Sequence, residues 1–177
     1  MAENERVIVL RRTIASGLLI VLSFFGGAIS AWAGDVDDGD TAFHNGDYVG
    51  AIKLLMPLAQ QGNAVAELDI GLMYYTGRGM AQDRREATKW FLLSAKQGQV
   101  GAQVDLGIAY ATGDGVQRSP VQAYVWFGAA ALQQSADNPA ARYRDHVATE
   151  LSPDQLQRAK NMAMKCHATN YEACGEE

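Results

Sequence analysis

The sequence predicts an all-α fold, a short α-solenoid of stacked helical hairpins closed by a C-terminal helical cap. Two observations predict it. Rare residues recur at a fixed offset of 36 along the chain, and each recurring block carries start and stop signals for two helices. Ala51, Ala87 and Ala123 share the offset, as do Ala59, Ala95 and Ala131, while Leu55 is followed by Phe91 and Phe127, and Trp90 by Trp126. Gly62, Ala66, Asp69, Gly71, Tyr74, Gly77 and Gly79 return as Gly98, Ala102, Asp105, Gly107, Tyr110, Gly113 and Gly115. A period of this length marks units that cannot bury their apolar faces alone and must stack.

The first 33 residues stand apart. Arg6, Arg11 and Arg12 precede an apolar run over 14–29, and Ala31-Trp32-Ala33 follows. A basic start, an apolar middle and a small-residue exit describe a signal peptide. An uncleaved anchor is the alternative, but the run is shorter than the roughly 20 residues a spanning helix prefers and holds Gly and Ser. Residues 1–33 carry two Glu and three Arg, so their removal takes the net charge from −5 to −6. An acidic chain without a basic stripe argues against nucleic acid and anionic lipid as partners. Once the leader is removed, no stable membrane insertion is expected.

The repeat array is placed at 34–138, with a partial unit near 40–61 and full units near 62–97 and 98–133. From Ala64, Leu68, Leu72 or Met73, and Tyr75 fall at helical intervals, and Gly77 supplies the left-handed residue that ends a helix. Asp83 then reads as an N-cap, with Glu86 three residues on in a capping-box arrangement. Ser119 with Pro120 is a second solution to the same start, and Asp47 occupies the place one unit earlier. Gly62 and Gly98 close the second helices. Gly71 and Gly107 fall mid-helix, where glycine costs about 1 kcal/mol relative to alanine. Accepting that cost twice implies a close crossing, with a bulky neighbour such as Trp90 or Tyr74 over the missing side chain. Trp90, Phe91, Trp126 and Phe127 read as core. Beyond the array, helices over 139–149 and 153–168 suit a capping pair, the second started by Ser152 and Pro153. Cys166 and Cys174 are the only cysteines; an even, closely spaced pair in an exported chain reads as a disulfide tying the tail, residues 139–177, onto itself.

The stretch AELDIGLMYYTGRGM, then Asp83 and ATKWFLLSA, resembles the Sel-1-like repeat, a relative of the tetratricopeptide repeat. A second copy reads AQVDLGIAYATGDGV and QAYVWFGAA, and DYVGAIKLLMPLAQQG resembles the partial unit that opens such arrays. Glu67 stands where the family usually has Gln, which Gln103 retains; Asp69 and Asp105 stand where Asn is frequent. The resemblance covers about residues 40–132 and implies a curved array whose first helices line a concave side. The partner groove it implies is Leu68, Asp69, Leu72 and Tyr75 in one unit, with Val104, Asp105 and Ile108 in the next. Apolar residues beside two carboxylates suit a protein or peptide ligand carrying one basic residue among apolar ones.

No catalytic constellation emerges. His44, His146 and His167 form no metal-ligand spacing; His146 and Glu150 read as a surface pair four apart, and neither a metal nor a cofactor is expected. Adjacent Cys166 and His167 point about 100° apart on a helix, which excludes a dyad. Gly77-Arg78-Gly79 and Gly113-Asp114-Gly115 lack the Lys-Ser/Thr of a phosphate loop and read as turns. The expectation is a periplasmic or secreted, non-enzymatic adaptor, of the kind the family uses to regulate membrane signalling kinases. Two alternatives are an exported hydrolase of the β-lactamase-like cysteine-rich repeat type, whose cysteine pair per repeat is lacking here, and a structural subunit of an envelope assembly.

Overall fold

Each helix of the chain packs against the next one along until the last, which turns back. The structure is a computed structural model and describes residues 36–133 and 139–174; the leader expected at 1–33 lies outside them. The helices are α1 (36–44), α2 (Tyr48–Gln60), α3 (Ala64–Thr76), α4 (Arg84–Lys96), α5 (Val100–Thr112), α6 (Pro120–Leu132), α7 (Pro139–Ala148) and α8 (Pro153–Ala168). No strand occurs among the described residues. Helices α3 with α4 and α5 with α6 form the tightest pairs, and α4–α5 joins one pair to the next. The fold is therefore the stacked helical-hairpin array that the 36-residue offset predicts.

The caps follow the sequence signals. Asp47 accepts from the Gly50 amide, Asp83 from Arg85 and Glu86, and Ser119 from Gln122, which satisfies amides that a helix start leaves without partners. Gly77 and Gly113 close α3 and α5 with φ of 73° and 83°. At that backbone angle a Cβ is strained. The capping box expected at Asp83 is only half made, because Glu86 turns outward to Lys89 at 2.7 Å. A complete box forms instead at Ser152 with Gln155, at the start of α8.

Ala51, Ala87, Ala123 and Ala159 are fully buried and keep the offset of 36 into the last helix, where the rest of the signature has faded. The mid-helix glycines are explained, though by other rings than expected. A Cβ on Gly71 would lie 2.6 Å from the Phe91 ring, and one on Gly107 2.6 Å from Phe127. Neither Trp90 nor Tyr74 covers them. Trp126 is fully buried in the main core, while Trp90 packs half-buried against the cluster of α2 and α3. A polar latch repeats as well: Gln97 donates to Glu67 at 2.7 Å, and Gln133 to Gln103 at 3.0 Å.

Helix α7 follows α6, but α8 lies against α6 and makes little contact with α7. The α7 helix ends at Ala148, one residue short of the expected boundary. Glu150 pairs with Arg118 across the joint, not with His146. Cys166 and Cys174 are joined, their Cα atoms 4.4 Å apart, and Tyr171 between them reaches the α4–α5 turn at Gly98.

Gly71→Ala and Gly107→Ala each place a methyl inside an aromatic ring's contact distance. We expect either to lower the unfolding free energy by about 1–3 kcal/mol despite the better helix propensity, measured by urea titration. Reducing the Cys166–Cys174 bond opens a short loop and is expected to cost about 2–3 kcal/mol in the same assay with and without reductant.

Candidate docking trough between the inner helices

Between α3 and α5, each crossed by its own hairpin partner at Gly71 and Gly107, lies a cavity of about 150 Å³. Leu72 and Tyr75 line it from α3, and Asp105, Ile108 and Ala109 from α5. Phe91 from α4 and Asp114 from the turn after α5 complete the lining. Four of the seven residues expected in the groove thus meet: Leu72, Tyr75, Asp105 and Ile108.

The other three go elsewhere. Leu68 packs into the main core and against the start of α5, its Cδ2 3.0 Å from where a Cβ on Gly101 would sit. Val104 packs toward Ala123, Phe127 and Val147. Asp69 is 8% exposed, its Oδ2 buried without a hydrogen-bond partner, and it feels Asp40 and His44 of α1. Its offset twin Asp105 is less buried and faces Leu72 and Tyr75 of α3, where Asp69 faces α1.

The two carboxylates of the cavity differ in their partners. Asp114 accepts from Tyr75 Oη at 3.2 Å and pairs with Arg84 at 2.5 Å, whose guanidinium also lies 5.4 Å over the Tyr75 ring. This closed triad holds one unit's turn against the helix of the unit before it. Burial, and then the Asp114 contact, pushes the Tyr75 hydroxyl above its usual pKa. Asp105 has no donor among the described residues, and loss of water raises its pKa to about 6. A desolvated carboxylate with open apolar walls accepts a cation readily. In the sequence Asp114 reads only as part of a turn; its place between two left-handed glycines, Gly113 and Gly115, is the signal that sets it apart. Asp69 is likewise pushed to about 6, first by burial and then by Asp40, against a smaller opposing effect of His44. No cluster of three metal-ligating side chains occurs among the described residues.

The fold and this trough define a helical-hairpin repeat protein. The Sel1 repeat family model matches residues 64–99 and 100–135, so the chain carries two Sel1 repeats. Among solved structures, it is similar to a protective antigen of uropathogenic Escherichia coli strains displaying an SLR fold. The two share 27% identity with a TM-score of 0.73 over 80% of this chain and 31% of the other. It is also similar to a Sel1 repeat protein from Oxalobacter formigenes, at 31% identity and a TM-score of 0.58 over 63% of this chain and 45% of the other. The chain thus spans less than half the length of either relative. No curated protein matches it significantly.

Asp69 and Asp105 have folded pKa values raised from about 3.8 to about 6. The stability they contribute is therefore complete below the unfolded value and is lost as the pH rises through 6. His44, also raised, acts in the same direction. We expect a higher melting temperature at pH 5 than at pH 7.5 by circular dichroism. Asp105→Asn, neutral at both, should narrow that gap and gain about 1–2 kcal/mol at pH 7.5, since the half-open site softens the cost of the charge.

Proposed function

We propose that the protein is an exported, non-enzymatic adaptor or regulator that docks a segment of another protein in the trough between α3 and α5. The single observation that carries this reading is Asp105, a carboxylate without an internal cation, set among Leu72, Tyr75 and Ile108. Its ligand carries one Lys or Arg flanked by apolar side chains, the cation pairing with Asp105 and the apolar neighbours covering the rim. The cavity admits little more than one side chain, so the interface is small and owes specificity to that pair. Sel1 repeats generally mediate protein–protein interaction, which supports the reading. The leader expected over 1–33 from its sequence supports export to the periplasm or the cell exterior. No helix among the described residues is long and apolar enough to cross a membrane.

A pull-down from envelope extract with residues 34–177 tests the reading. We expect a stoichiometric protein partner that Asp105→Lys loses, a change of at least tenfold for reversing a charge inside a desolvated contact. Asp105 is the diagnostic position because Asp69 is buried and its replacement would perturb folding. Equal retention by wild type and Asp105→Lys overturns the assignment of the trough. Turnover of a β-lactam by the purified protein, abolished by a point substitution, would assign it to the hydrolase class instead.

A further inference from the structure

The end of the array carries a second and larger trough, of about 520 Å³, where α8 leaves α7 and lies on α6. Its floor is α6, through Tyr124, Gly128 and Leu132, and one wall is α8, through Gln157, Lys160, Ala163, Met164 and His167; Arg144 of α7 stands opposite. The α6 residues fall at intervals of four, and those of α8 span ten positions of one helical face, a run of about 15 Å. Leu132 and Met164, at 59% and 64% exposure, are among the most exposed large apolar side chains described.

Gly128 is the telling residue. Gly71 and Gly107 are demanded by phenylalanine rings, but a Cβ on Gly128 would meet Ala163 only at 3.7 Å and Arg144 at 3.9 Å, ordinary contact. Nothing within the described residues requires glycine there, and a mid-helix glycine costs about 1 kcal/mol. At the same register the two preceding units carry Met56 and Leu92, both packed against core clusters. The large side chain present twice is missing on α6, and its absence deepens the trough. The rim carries cations of one sign, Lys160 from α8 and Arg144, the latter also paired with its neighbour Asp145, with the His167 imidazole beside them and no carboxylate among the lining residues. In a chain of net charge −5 this is a local reversal.

We propose that this trough is a docking site for an amphipathic helix of a partner protein, about three turns long, with a leucine-type stripe flanked by Asp or Glu. A large apolar side chain of that helix seats over Gly128, and its flanking carboxylates meet Lys160 and His167. The pattern is helix-in-groove recognition, with anchors at i, i+3 or i+4 and i+7. This site lies on other elements than the trough at Asp105 and does not depend on it.

The test uses purified leader-free protein and a synthetic, fluorescently labelled helical peptide of about 15 residues, leucines on one face and Glu beside them, read by anisotropy. A second peptide carries Lys in place of each Glu. We expect the Glu peptide to bind, Gly128→Leu and Lys160→Glu each to weaken it about tenfold, and the Lys peptide to bind at least tenfold more weakly. Lys160 is exposed, so its variant keeps the fold, and a melting curve for Gly128→Leu confirms that the filled trough is still folded. Unchanged affinity in both folded variants, or equal binding of the two peptides, overturns the proposal. So does binding of laurate without binding of either peptide, which would give the trough to an acyl carboxylate. No extract is involved, so this outcome is separate from that of the pull-down.

Discussion

The array depends on two phenylalanine rings lying where side chains are missing. Phe91 covers Gly71 and Phe127 covers Gly107, each ring 2.6 Å from the position a Cβ would take. The magnitudes favour the exchange. Glycine in a helix gives up about 1 kcal/mol, while burying a phenylalanine ring of 150 Å² or more returns about 4 kcal/mol. Both crossings use the same device at the same register, and a cavity opens between the inner helices α3 and α5. Phe91 is then both the packing element of one hairpin and a wall of the cavity between two. Core and candidate site share an atom set.

The polar groups divide into satisfied and unsatisfied ones along the same seam. Asp114 spends its charge inside the chain, on Arg84 and Tyr75, fixing one unit's turn to the helix before it. The preceding turn does this with the opposite charge: Arg78 lies over the rings of Phe43 and Tyr48, 5.7 Å and 5.6 Å from their centroids. The repeat thus preserves the contact while letting its chemistry vary. Asp105, a few residues upstream, has no such cation among the described residues.

Local signals in the sequence were legible where one residue decides the outcome. N-caps at Asp47, Asp83 and Ser119 and the left-handed Gly77 and Gly113 depend only on near neighbours, so the reading of two helices per unit needed no tertiary knowledge. The glycine crossings were legible as a need for a bulky cover, but not as to which ring, since Trp90 and Phe91 are adjacent and their directions on α4 differ by about 100°. Side-chain competition hid other features: Glu86 prefers Lys89 to its own cap, and Glu150 prefers Arg118 to His146. Asp69 and Asp105 occupy equivalent places in sequence but meet different neighbours, Asp40 and His44 of α1 for the first and Leu72 and Tyr75 of α3 for the second. The trough at Gly128 was invisible because it arises from α8 crossing back to α6, a choice that no periodicity records.

Tyr171 has a consequence for how the molecule comes apart. The turn between the two cysteines lays this ring against Gly98, four helices back, so that the last segment fastens α8 to the joint between α4 and α5. Three sequence-distant stretches must release together for any one of them to open. At the opposite end α1 is a short helix held mainly by its own neighbours on α2 and α3. Amide exchange would therefore run as a gradient, with early loss of protection near residue 40 and a single late, cooperative block from α4 onward.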